Sequence, residues 1–142
     1  MNIMYNVYDK LSQLRYFIPN EYLLKYSQII EQHTRVPVRH GQTHKHHIIP
    51  KSWFKLNNVP VDNSLVNLVN LPCRAHFLAH YYLCLCTEDP FKYANQLALT
   101  CLESNKRIKL VDKHLLHNLP MYNILYEDFI AKRKLNYKLY TE

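Results

Sequence analysis

Glycine is almost missing from this chain: Gly41 is the only one among 142 residues. Rossmann and P-loop nucleotide sites need several glycines at fixed spacing, so both are excluded. Long apolar runs are missing too. The longest, Tyr81 to Cys86, falls far short of the ~20 residues that cross a bilayer. Asn2, Asn6 and Asp9 stand where a secretory signal has a basic end and an apolar stretch. A cytoplasmic location and no membrane partner are therefore expected. The four cysteines, Cys73, Cys84, Cys86 and Cys101, contain no CxxC pair. That speaks against a zinc ribbon and a secreted disulfide scaffold, and they read as small apolar side chains on helices. Acidic residues are also scarce. Eighteen Lys and Arg against eleven Asp and Glu give a net charge of +7 and a pI near 9.2, which favours a polyanionic partner.

What is present suffices for a folded domain. Apolar residues make up 48% and charged residues 20%, enough to bury a core. At 142 residues the chain is one ordinary domain. It reads as an N-terminal helical segment and loop (1–43), a central unit (44–88) and a helical tail (89–142). Pro19-Asn20-Glu21 opens a helix in which Tyr22, Leu23, Tyr26, Ile29 and Ile30 recur at helical spacing. Thr34 to Thr43 reads as loop, His46 to Ile49 as a strand stopped by Pro50, and Asn57 to Ser64 as a polar connection. Leu65 to Leu71 is rich in Val and Leu and predicts a second strand. Helices follow over Arg74–Cys86, Phe91–Ser104 and Pro120–Lys134, the last with Ile124, Leu125, Phe129 and Ile130 inward. Two short strands cannot form an independent sheet, so the central unit must lean on its helix or on a bound ion.

Histidine is the anomaly. His44, His46, His47, His76 and His80, five of nine, fall between residues 44 and 80. Strand periodicity sends His46 and His47 to opposite faces. Helical periodicity puts His76 and His80, four apart, on one face. A strand histidine and a helical HxxxH pair can converge on one divalent cation. The other strand histidine is then free to take a proton from water near neutral pH. Spacing does not say which of the two does which.

The whole string resembles the HNH nucleases, which belong to the ββα-metal or His-Me finger group. His46-His47-Ile48-Ile49-Pro50 is followed by Asp62-Asn63, then by Asn67-Leu68-Val69-Asn70-Leu71, then by His76 and His80. Arg74-Ala75-His76-Phe77-Leu78-Ala79-His80 is similar to the phage and bacterial mobile-element type. The likeness is specific over residues 44–80, looser over 81–134 and absent over 1–43. It implies an α+β fold, mainly helical, as a single domain around a ββα-metal core. It also implies a metal-dependent endonuclease that hydrolyses DNA phosphodiester bonds. By the same resemblance His46, His76 and His80 are metal ligands, His47 is the general base, and Asn67 braces the strand and helps orient that base. Many relatives carry Glu, able to orient a ligand from behind, where this chain has His44, which reads equally as a residue behind a ligand or as a loop residue with no role.

The cofactor implied is one divalent ion, with Mg or Mn in turnover and Zn or Ni also suited to an all-histidine set. Phosphate contacts are expected from Lys45, Lys51, Lys55 and Arg74 around the motif, with Lys106, Arg107 and Lys109 as further cations, while Lys132 to Lys134 read rather as a solvated helix end. Charge fits RNA as well as DNA, so an RNase or toxin-type nuclease with an inhibitor protein is a second expectation. A non-catalytic, metal-stabilised nucleic-acid-binding module is a third. A homodimer would pair two sites across a duplex, although one core explains the apolar faces equally well.

Overall fold

The computed structural model describes residues 3–35, 43–104 and 118–141. In order they form α1 (Ile3–Ser12), α2 (Glu21–Arg35), β1 (Thr43–His47), α3 (Lys51–Leu56), a 3-10 turn (Leu65–Asn67), β2 (Leu68–Pro72), α4 (Cys73–Leu85), α5 (Phe91–Ser104) and α6 (Tyr122–Thr141). The architecture is α+β and mostly helical, with one small antiparallel sheet of β1 and β2. Its register sets His46 opposite Val69 and His47 opposite Leu68. Among the described residues no helix is long and apolar enough to cross a membrane.

α4 is the central element. β2 runs straight into it at Pro72, whose missing N–H costs nothing at a helix start. It is buried on two sides. Ala79 and Leu83 join a core with Leu23, Tyr26 and Ile30 of α2, Val69 and Leu71 of β2, and Phe54 of α3. Phe77, Tyr81 and Cys84 join a second core with Leu99 of α5 and Tyr122 and Leu125 of α6. Fully burying a side chain such as Leu83 is worth about 1.5–3 kcal/mol. His76 and His80 stand on this largely apolar helix and need a different explanation.

Asn20 starts α2. Its Oδ1 accepts from the N–H groups of Tyr22 and Leu23 at 3.0 and 3.1 Å, while its Nδ2 donates to the Leu85 carbonyl at 3.0 Å. One side chain thus caps α2 and ties it to the end of α4. The same junction is closed by Ile18 N–H to the Cys86 carbonyl (2.8 Å) and Glu88 N–H to the Tyr16 carbonyl (2.9 Å).

Several boundaries differ from the sequence reading. Pro19 precedes the cap rather than sitting in the first turn, and the helix continues through Thr34 and Arg35. β1 starts at Thr43 and ends at His47, because Asn67 takes over the backbone of Ile48 and Ile49. The second strand begins at Leu68, after a 3-10 turn. α1 and α3 were not anticipated. On α6 Leu125 and Phe129 are buried, but Ile124 is 57% exposed and points away from the core. On α5 Leu97 and Cys101 are exposed, and Gln96 takes the inward place. Gln96 Nε2 donates to the Leu125 carbonyl (3.1 Å), and its Oε1 accepts from Lys132 (3.0 Å).

Candidate metal centre

β1 and α4 bring three histidines to one point. His46 is 3% exposed, facing the sheet side that α4 covers, and His76 and His80 rise from successive turns of α4. Ring centroids are 5.3 Å apart for His46 and His76, 5.1 Å for His46 and His80, and 4.8 Å for His76 and His80. One ligand nitrogen from each lies within 4.8 Å of the other two. His76 Nε2 and His80 Nε2 face each other at 3.1 Å. Two nitrogens bound to one cation at about 2.0–2.1 Å stand roughly 3.0–3.4 Å apart in adjacent positions, so this spacing suits a shared ion.

Burial holds all three imidazoles neutral. His46 is pushed well below the usual histidine range by burial and then by the neighbouring His80, His76 and His47. Burial, then His44, lowers His76 to about 4. Burial, then His76, lowers His80 to about 3. Neutral imidazoles bind a cation without first releasing a proton. His80 Nδ1 is buried with no hydrogen-bond partner among the described residues, and a cation on Nε2 would leave it so. The donor set therefore fits a divalent ion, and three nitrogens favour Zn, Ni or Co in affinity.

His44 stands behind His76, their Nδ1 atoms 3.2 Å apart. A cation on His76 Nε2 requires the proton on Nδ1, and His44 Nδ1 is placed to accept it. A second imidazole thus stands behind His76 in an orienting place.

His47 turns to the other face of β1. Its Nε2–H donates to Asn63 Oδ1 at 2.8 Å, which leaves the lone pair of the neutral ring on Nδ1. Asn67 is buried and does not supply that contact. Its Oδ1 accepts from Ile49 N–H (2.8 Å), and its Nδ2 donates to the carbonyls of Asp62 (2.9 Å) and Ile49 (3.2 Å). Asn67 therefore ties the chain just after His47 to the loop at Asp62, and Asn63 holds the ring.

A cleft of about 460 Å³ is lined by His46, His47, His76 and His80. Lys45, Lys51 and Lys55 line it, as do Ala94, Leu97, Ala98 and Cys101 of α5. Among the described residues none that lines it is acidic. Arg74 is exposed on the first turn of α4 and does not line this cleft. Lys132 is tied to Asp89 (2.9 Å) and Asp128 (2.8 Å), joining α6 to the start of α5. Lys106, Arg107 and Lys109 lie outside the described residues. Trp53 packs at the edge of the core beside buried Phe54, and its Nε1–H donates to the Arg15 carbonyl at 2.8 Å.

Sequence reasoning missed Asn63 as the partner of His47, although the Asp62-Asn63 pair stands within the motif. It also missed Tyr26, whose hydroxyl lies 2.8 Å from His46 Nε2. Helical spacing had marked Tyr26 as core, and nothing local in the sequence marks it otherwise. No family of known proteins, no curated protein and no solved structure matches this chain.

Proposed function

We propose that this chain is a metal-dependent endonuclease of the HNH type that hydrolyses DNA phosphodiester bonds, its β1–β2–α4 unit acting as a ββα-metal core. The observation that carries this reading is the division of labour within one cleft. His46, His76 and His80 converge on a point, while His47 faces elsewhere with a free Nδ1 lone pair.

His46, His76 and His80 would hold one divalent cation, and such an ion supplies Lewis-acid stabilisation of charge on phosphate oxygens when bound. His47 Nδ1 accepts the proton of the attacking water, and Asn63 keeps the ring aimed and the Nε2 proton in place. Asn67 keeps the peptide around His47 from shifting. Lys45, Lys51 and Lys55 draw the phosphodiester backbone into a cleft with no carboxylate among its described residues to repel it. Contacts of this kind bind without reading sequence.

The test is conversion of supercoiled plasmid to nicked and linear forms, with Mg, Mn, Zn or EDTA, for the wild type and His47→Ala. Cleavage is expected with metal, absent with EDTA, and lower in His47→Ala by about 100- to 10,000-fold, the usual contribution of a general base. A wild type that binds metal and plasmid but cuts neither plasmid, single strands nor structured RNA would overturn the nuclease reading.

A further inference from the structure

The centre has a contact from outside the β1–β2–α4 unit. Tyr26, in the middle of α2, is fully buried. Its hydroxyl lies 2.6 Å from the Ile48 carbonyl and 2.8 Å from His46 Nε2. A phenol has one proton. The Ile48 carbonyl can only accept, so the phenolic proton goes there. The contact with His46 then requires Nε2 to be the donor. A neutral imidazole carries one N–H, so Nδ1 keeps the lone pair.

We infer that Tyr26 is a positioning residue of the metal centre, which fixes His46 as the Nε2–H tautomer and so makes Nδ1 the nitrogen offered to a cation. The same hydroxyl grips the peptide that follows His47, so α2 sets the placement of ligand and base together. The role of Nδ1 in metal binding rests on the function proposed above. The tautomer does not, and it can be read in the metal-free protein.

Two measurements on the full chain decide the matter. The first is a long-range proton–nitrogen NMR spectrum of the metal-free wild type, which distinguishes Nε2–H from Nδ1–H imidazoles. His46 is expected as Nε2–H; finding Nδ1–H overturns the inference even if every variant fails to fold. The second is affinity for Zn and Co, measured by competition with a chromophoric chelator. Tyr26→Phe keeps the ring and removes the hydroxyl. It should lose the single tautomer and bind about 10- to 100-fold more weakly, the usual cost of removing a contact behind a ligand. Ser27→Ala is the control, because Ser27 is equally buried on α2 but bonds only the Leu23 carbonyl at 2.8 Å. It should leave both readouts unchanged. A Tyr26→Phe protein with unaltered tautomer and affinity, or a Ser27→Ala protein equally weakened, overturns the role. A wild type that binds neither ion refutes the metal centre instead, and the spectrum still decides the tautomer claim.

Discussion

Asn63 and Asn67 are four residues apart in the loop that faces β1, yet they do different work. Asn63 is exposed and makes one contact, to His47 Nε2. Asn67 is buried and makes three, all to backbone. Their alanine variants should therefore separate catalysis from stability. Asn63→Ala should leave the unfolding midpoint in urea unchanged while plasmid cleavage falls about 10-fold, because His47 keeps its proton acceptor but loses its aim. Asn67→Ala leaves the Ile49 peptide with buried unpaired groups at about 1–3 kcal/mol each. Its midpoint should drop steeply, and cleavage should fall along with it. Equal stability of the two variants would refute this assignment.

Between elements, the important joint is that of α2 with α4. α2 carries Tyr26 and α4 carries His76 and His80, so the relative placement of two helices sets the centre. Asn20 holds both by capping one and bonding the end of the other, and Tyr22 stacks on Tyr82 at 6.4 Å nearby. Asn20→Ala should destabilise the protein by about 1–2 kcal/mol, measured by chemical denaturation. Asn20→Asp keeps the acceptor for the cap and removes the donor to Leu85. It should recover most of the helix contribution without restoring the tie to α4. Full recovery by Asp would show that the tie to α4 contributes nothing.

Across the whole molecule, the lowered imidazoles of His46, His76 and His80 make stability depend on pH. His76 and His80 titrate near 6.5 in the unfolded chain and near 4 and 3 in the fold. As pH falls below 6.5, the unfolded chain takes up protons that the folded one refuses. The metal-free protein should therefore be most stable above pH 6.5 and lose stability steadily down to about pH 3, by at most about 1.4 kcal/mol per pH unit for each imidazole. Thermal unfolding between pH 7.5 and 4 with His80→Gln as comparison checks this; a wild type and variant with the same slope would contradict it. A cation that binds only the folded state should raise the melting temperature, corresponding to about 2.7 kcal/mol at a hundred times its dissociation constant, and EDTA should reverse the rise.

The four-residue step from His76 to His80 and the alternation at His46-His47 were legible because both are local periodicities of the backbone. α5 was placed over Phe91–Ser104 from the Asp89-Pro90 start and the apolar spacing that follows. α3 was not legible, since six residues are too few to show a helical period. Ile124 was read as inward because α6 is apolar on more than one side, and only its packing against α5 chooses the side. Composition and spacing alone determined that this chain folds, carries excess positive charge and concentrates histidine in one unit. The tertiary structure decided that Tyr26 stands behind His46 and His44 behind His76, and that Asn63 holds His47. Those contacts join residues 16, 20 and 32 apart in the chain. No local pattern encodes them, because they exist only once burial has chosen how α2, the sheet and α4 pack.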